Sequence, residues 1–89
     1  MTEVIDNTSR HRFEMMVEDK VAFVDYAETG GRLVLLHAEV PPVLEGRGVG
    51  KALVRSVLEE ARHRGVKVVP RCSFIAAFVR RNPEFADLV

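Results

Sequence analysis

The chain has 89 residues with 13 Lys/Arg against 13 Asp/Glu, so one small domain is expected, and the even balance argues against a nucleic-acid footprint. Its single cysteine, Cys72, excludes an intrachain disulfide and suits a reducing compartment. No stretch approaches the ~20 apolar residues of a bilayer span, and "MTEVIDNTSRHRFEMM" has no signal-peptide core, so a cytoplasmic protein is expected.

Residues 1–10 are polar and unpatterned and read as a flexible N-terminus, with a single domain over 11–89. "FEMMV" (13–17) is a short apolar strand and "EDK" a turn. "KVAFVDYAET" (20–29) alternates and is rich in β-branched and aromatic residues. "GG" at 30–31 is a tight turn into a third strand, "RLVLLHAEV" (32–40), which Pro41 and Pro42 end because proline cannot donate to a ladder. After the segment "LEGRGVG" comes a helix whose apolar positions Leu53, Val54, Val57, Leu58 and Ala61 make one buried stripe. Arg55 with Glu59, and Glu60 with Arg64, are expected as i,i+4 pairs, and Gly65 as the stop. "VKVVP" (66–70) is a fourth strand and "CSFIAAFVRR" (72–81) a second helix, broken by Asn82-Pro83 before the apolar tail "EFADLV". Phe74, Phe78 and Phe85 read as core. The order β-β-β-α-β-α predicts an α+β fold: an antiparallel meander continued by a right-handed β-α-β crossover and a short C-terminal helix.

Charge is not even along this order. Residues 1–45 hold 4 Lys/Arg against 9 Asp/Glu, and residues 46–89 hold 9 against 4. The basic half begins where three glycines, Gly46, Gly48 and Gly50, run into the helix. Glycines there let an anion approach bare backbone N–H groups at the positive end of the helix dipole. Two phosphate-binding patterns fail on "EGRGVGKA". A P-loop needs a hydroxyl where Ala52 stands and a glycine where Glu45 stands. A dinucleotide fingerprint needs one more residue, and Lys51 occupies its third glycine.

"GRGVGKAL", behind a strand ending "HAEVPP", resembles the cofactor loop of the GNAT acetyltransferase superfamily, [QR]-x-x-G-x-[GA]. "VVPRCSFIAAFVRRNPEFADL" is similar to the C-terminal Pro-x-Cys-[SP]-[FY] signature of a small single-domain branch, whose third strand also carries a histidine, here His37. The likeness covers roughly residues 12 to 89. It implies acetyl-coenzyme A as cofactor, its pyrophosphate on the amides of Gly46, Arg47, Gly48, Val49, Gly50 and Lys51, with Arg47 and Lys51 adding charge. It implies a splayed parallel strand pair, with the pantetheine arm pairing with Ala38, Glu39 and Val40. It implies N-acetyl transfer to an amine of a small molecule or protein. Glu45 departs from the family's glutamine or arginine and sets a negative charge near the proposed diphosphate.

Acetyl transfer from a thioester needs a deprotonated amine, a stabilised oxyanion and a protonated leaving thiolate. The tyrosine that larger relatives use is missing, since Tyr26, the only tyrosine, lies in the second strand. Cys72 is then the polar group near the thioester, as proton donor or nucleophile, and His37 is a candidate base. Plainer readings stand beside these: Cys72 as a buried small hydrophobe, His37 paired with Glu39, Arg80 and Arg81 as solvated helix-end cations rather than phosphate ligands. No metal ligands are assigned. The alternative function is a coenzyme A-binding sensor or interaction module without turnover. The acceptor, and whether the protein is a monomer or homodimer, are not encoded in any pattern found.

Overall fold

The computed structural model describes residues 3–89. Five strands lie in sequence order across one sheet: β1 (Val4–Asn7), β2 (Arg12–Val17), β3 (Lys20–Thr29), β4 (Arg32–Glu39) and β5 (Lys67–Pro70). The first four pair antiparallel, while β5 runs parallel to β4 after a crossover through α1 (Val49–Arg64). α2 (Ser73–Arg81) and a 3-10 segment (Pro83–Leu88) complete the chain. The class is α+β with a mixed sheet and a short C-terminal helix.

Period-two alternation decides which sheet face is buried. Phe13 and Met15 of β2, Ala22, Val24 and Tyr26 of β3, and Leu33 and Leu35 of β4 point the same way and are closed to solvent. Leu53, Val54, Val57, Leu58 and Ala61 of α1 meet them as the helical spacing predicts, with Ile75, Phe78, Val79, Phe85 and Leu88 in the same cluster. The opposite face stays half-open: Ile5 is 61% exposed and Met16 57%.

The expectation of a loose segment over 1–10 is corrected for Val4–Asn7, which pairs with β2 from Val4↔Met15 to Asn7↔Arg12. Residues 1–2 of that stretch lie outside the described residues. Long-range polar contacts hold this short strand. The Tyr26 hydroxyl donates to Asp6 Oδ1 at 2.6 Å, and Arg64 Nη2 donates to Asp6 Oδ2 at 2.8 Å. Burial, then the Asp6 hydrogen bond, pushes the Tyr26 phenol up to about 12.

Two turns share a backbone need. Gly30 and Gly31 both take positive φ, 58° and 74°, as a two-residue hairpin loop matched to strand twist requires. Glu18 and Asp19 do the same at 49° and 64° without glycine, a strained choice. At the end of α1, Gly65 adopts φ 72° and donates to the Arg62 carbonyl, while Val66 N–H reaches Ala61. Glu60 pairs with Arg64 as expected, but Arg55 reaches Glu84 and Asn82 rather than Glu59, because the C-terminal segment folds back over α1.

Candidate active site: a glycine loop beside a split strand pair

The ladder between β4 and β5 runs from Arg32↔Lys67 to Leu35↔Pro70 and stops. There the N–H groups of Arg71 and Cys72 both donate to the Leu35 carbonyl, at 2.9 and 3.2 Å, and the chain turns into α2. Beyond this point β4 continues to Glu39 on β3 alone, with Val24 opposite Ala38 and Phe23 opposite Glu39. Ala38, Glu39 and Val40 therefore carry one edge without a ladder partner among the described residues. Such an edge is open to an extended, amide-bearing ligand.

A bulge sets the facing of this segment. Asp25 pairs with His37 and Tyr26 with Leu35, so Leu36 is the extra residue. One extra residue inverts the alternation: Ala38 and Val40 turn to the core, while Leu36 and His37 turn out. Strict alternation along β4 would put His37 on the face of Leu33 and Leu35, and the bulge turns it to the other. Its side chain is 55% exposed, with Nε2 3.2 Å from Glu39 Oε1. Cys72 is half-buried, packs against the core, and stands at the N-terminal boundary of α2. The structure does not bring Cys72 and His37 together. Tyr26 is committed to Asp6, as described above.

At the other side of the gap, Pro42–Leu44 forms a single 3-10 turn that buries Leu44 and leads into the glycines. Gly48, at φ 77°, is the N-cap of α1, and its carbonyl accepts the first helical bond, from Ala52 N at 3.0 Å. The cap has no side chain, and the first turn has no acidic residue. No carbonyl or side-chain oxygen among the described residues accepts from the N–H groups of Gly46 to Lys51. A helix start normally satisfies these donors with a Ser, Thr, Asp or Asn cap. Left bare, with the dipole behind them, such donors favour a negatively charged group in front of them. A groove of about 300 Å³ opens in front of them, lined by Val40, Glu45, Gly46, Gly48, Lys51 and Phe74.

Gly50 differs from its neighbours in making a close approach rather than in taking a positive φ. A Cβ there would lie 3.2 Å from Phe74 Cζ and 3.4 Å from Val40 Cγ2. The ring of Phe74 thus rests on the glycine turn. The expectation that Phe74 is core is corrected: it is 44% exposed, whereas Phe78 and Phe85 are buried. Phe74 and Phe78 share one apolar helix, which gives no local sign of which ring meets the loop.

The charged residues divide. Arg47 turns to the β2–β3 hairpin, where Nη2 meets Glu18 Oε2 at 2.6 Å and Nη1 meets Oε1 at 3.3 Å. This pair holds the Glu18 carboxyl below its ordinary range. Sequence reasoning missed Glu18, which lies 29 residues away. Lys51 is exposed with no acidic partner among the described residues. Glu45 lines the groove and meets no cation among the described residues. Among the described residues, no group of three or more His, Cys, Asp and Glu is gathered as a metal site would require. No helix among them is long and apolar enough to cross a membrane.

Comparison with known proteins agrees with this geometry. Residues 12–88 match the sequence profile of the GCN5-related N-acetyl-transferase family. The chain is 36% identical over 59 residues to Protein NATD1 of Bos taurus, covering 65% of this chain and 52% of that protein. It has the same identity to Protein NATD1 of Gallus gallus, covering 54% of the relative. The chain thus spans about half the length of the curated relatives it matches. The NMR solution structure of a GCN5-like protein from Staphylococcus aureus superposes with a TM-score of 0.75 at 25% identity, over 97% of this chain and 85% of that one. A split parallel strand pair, a capless glycine loop at a helix start and a profile match along nearly the whole chain converge: this chain belongs to the GCN5-related N-acetyltransferase family.

Proposed function

We propose that the chain is an acetyl-coenzyme A-dependent N-acetyltransferase acting on an amine of a small molecule or a protein. The observation that carries this reading is the set of backbone donors from Gly46 to Lys51 that no acceptor among the described residues satisfies. The residues present suit the cofactor. Main-chain N–H groups match a diphosphate, Lys51 adds a cation, and the unladdered edge at Ala38, Glu39 and Val40 matches the amides of a pantetheine arm. Glu45 opposes this and lowers affinity. Arg47 contributes only after exchanging Glu18 for phosphate.

When bound, the cofactor supplies a thioester acyl carbon. Transfer breaks its C–S bond and forms a C–N bond to the acceptor, and the proton lost by the amine ends on the sulfur. Cys72, where β5 leaves the gap, is the group we assign to proton delivery or to transient acylation. N–H groups of the Leu36–Val40 edge are the donors for charge developing on the acyl oxygen. His37 lies on the open sheet face and acts as base only for an amine arriving from that side. A single free thiol suits a reducing cytoplasm.

A second reading, coenzyme A binding without turnover, draws support from one specific arrangement: among the described residues no base hydrogen-bonds Cys72, while His37 and Tyr26 are held by Glu39 and Asp6. Release of coenzyme A from acetyl-coenzyme A separates the two. The enzyme reading expects turnover that Cys72→Ala reduces at least tenfold with coenzyme A affinity retained. Binding without turnover would leave the sensor reading standing. Unreduced turnover in Cys72→Ala would remove that residue from the chemistry.

A further inference from the structure

The sheet is covered on one face only. Both helices and the C-terminal segment pack with Phe13, Val24 and Leu35 into a single core. On the other face of β1 to β4 no element packs among the described residues, and Ile5, Met16 and Leu36 stand there in solvent.

The ladders fix what lies between these apolar side chains. Glu14 and Glu39 flank Phe23 in one row, and Arg12, Asp25 and His37 lie opposite one another in the next. With strands about 4.8 Å apart, the two glutamates stand about 10 Å from each other. Arg12 is committed, since it bonds Glu14 and its guanidinium carbon lies 4.3 Å from the centroid of the Phe23 ring. Asp25 meets no cation among the described residues, and Glu39 meets only the His37 imidazole. Three carboxylates thus stand against one guanidinium, and the rows are net negative.

The helix side has the opposite sign. α2 carries Arg80 and Arg81 and no carboxylate, and the first turn of α1 carries Lys51 and no acidic residue. The uneven charge of the two halves of the sequence has become two faces of one molecule, one suited to an anion and the other to a cation. β4 joins them: His37 and Glu39 look onto the open face, while Ala38 and Val40 turn to the core.

We propose that the open sheet face docks an extended, lysine-rich polypeptide. The inference rests on the acetyl transfer proposed above and names its acceptor: a lysine beside Glu39 and His37 lies next to the strand edge assigned to the thioester. A second copy of this chain does not fit, because a two-fold contact would set like-charged rows against each other. A small amine uses one carboxylate, whereas carboxylates on three strands match several cations along one chain, with Ile5 and Met16 adding apolar contact.

A decapeptide of alternating lysine and serine, its counterpart with glutamate for lysine, and spermidine test the assignment. Each is titrated into the full chain with coenzyme A present and followed in ¹⁵N–¹H spectra. The expected result is that the lysine peptide binds at least tenfold tighter than the other two at low salt, shifting the amides of β2 and β3, and that 0.5 M salt weakens it about tenfold. Asp25→Asn weakens the peptide about threefold and Asp25→Lys about tenfold, with coenzyme A affinity unchanged, and with acetyl-coenzyme A the KM for the peptide rises in step. Equal binding of the lysine and glutamate peptides would overturn the docking surface, as would shifts confined to the helix side or wild-type affinity in Asp25→Lys. Dimerisation through this face in sedimentation velocity would overturn it too. Lysine peptide that docks on this face and is never acetylated would overturn the transferase reading and leave the surface standing. Spermidine acetylated by a chain that binds no peptide would do the reverse.

Discussion

The two ends of α1 are finished in opposite ways. At the C-terminal end Gly65 closes the last turn and Arg62 pairs with Asp87. Arg64 there bridges Glu60 and Asp6, and Asp6 also receives the Tyr26 hydroxyl. At the N-terminal end the cap is a glycine, six successive N–H groups from Gly46 to Lys51 find no acceptor among the described residues, and Phe74 stands half in solvent. Both ends belong to one helix packed on one core, so the difference is not one of local order. Polar groups are satisfied where the helix meets β1 and the C-terminal segment, and left open where it meets the split between β4 and β5. Unsatisfied donors cost stability when buried but little when water reaches them, and the glycine loop is exposed. Stability and ligand binding should therefore be separable by mutation.

The largest effect expected of a single change is on binding. Gly48→Asp puts a carboxylate in open space before the bare amides, since nothing lies within 4 Å of a Cβ there. Coenzyme A affinity should fall on the order of a hundredfold, about 2.7 kcal/mol. The melting temperature should move by only a few degrees, because Asp tolerates positive φ better than most residues.

The complementary change is at the closed end. Tyr26→Phe removes the 2.6 Å bond to Asp6 and should destabilise the fold by about 1–2 kcal/mol in denaturant titrations, with coenzyme A affinity intact. The same phenol gives a pH signature. Its folded-state value, about 12, lies above the ordinary 10.0. Its contribution is then full below pH 10 and is lost as pH rises toward 12, because the unfolded chain releases that proton first. Wild-type stability should fall across that window by about 1–3 kcal/mol more than that of Tyr26→Phe.

The smallest effect sharpens the boundary between the two regions. Glu18→Gln frees Arg47 from its exposed pair and should tighten coenzyme A binding about two- to fivefold at low salt, a gain that 0.5 M salt erases. Unchanged affinity would show that Arg47 never reaches the ligand.

What the sequence revealed follows the same division between near and far. Gly30-Gly31, the apolar stripe of α1, Gly65 and the glycines before α1 all carry their structural meaning within a few residues, and all appear where the pattern puts them. β1 was not legible. "VIDN" is too short to show alternation, and its support comes from Tyr26 and Arg64, 20 and 58 residues away. The face of His37 was hidden by a single bulged residue, Leu36, which no composition rule marks. The partner of Arg47 lies across a hairpin, and the exposure of Phe74 depends on how α2 meets the glycine turn. In each case a tertiary contact, not local propensity, decides.

The most direct test of the central claim is a coenzyme A titration followed in ¹⁵N–¹H spectra. The account predicts that the amide resonances of Gly46 to Lys51 shift most, and that these shifts vanish in Gly48→Asp. Saturable binding that moves resonances elsewhere and leaves those six amides still would contradict it.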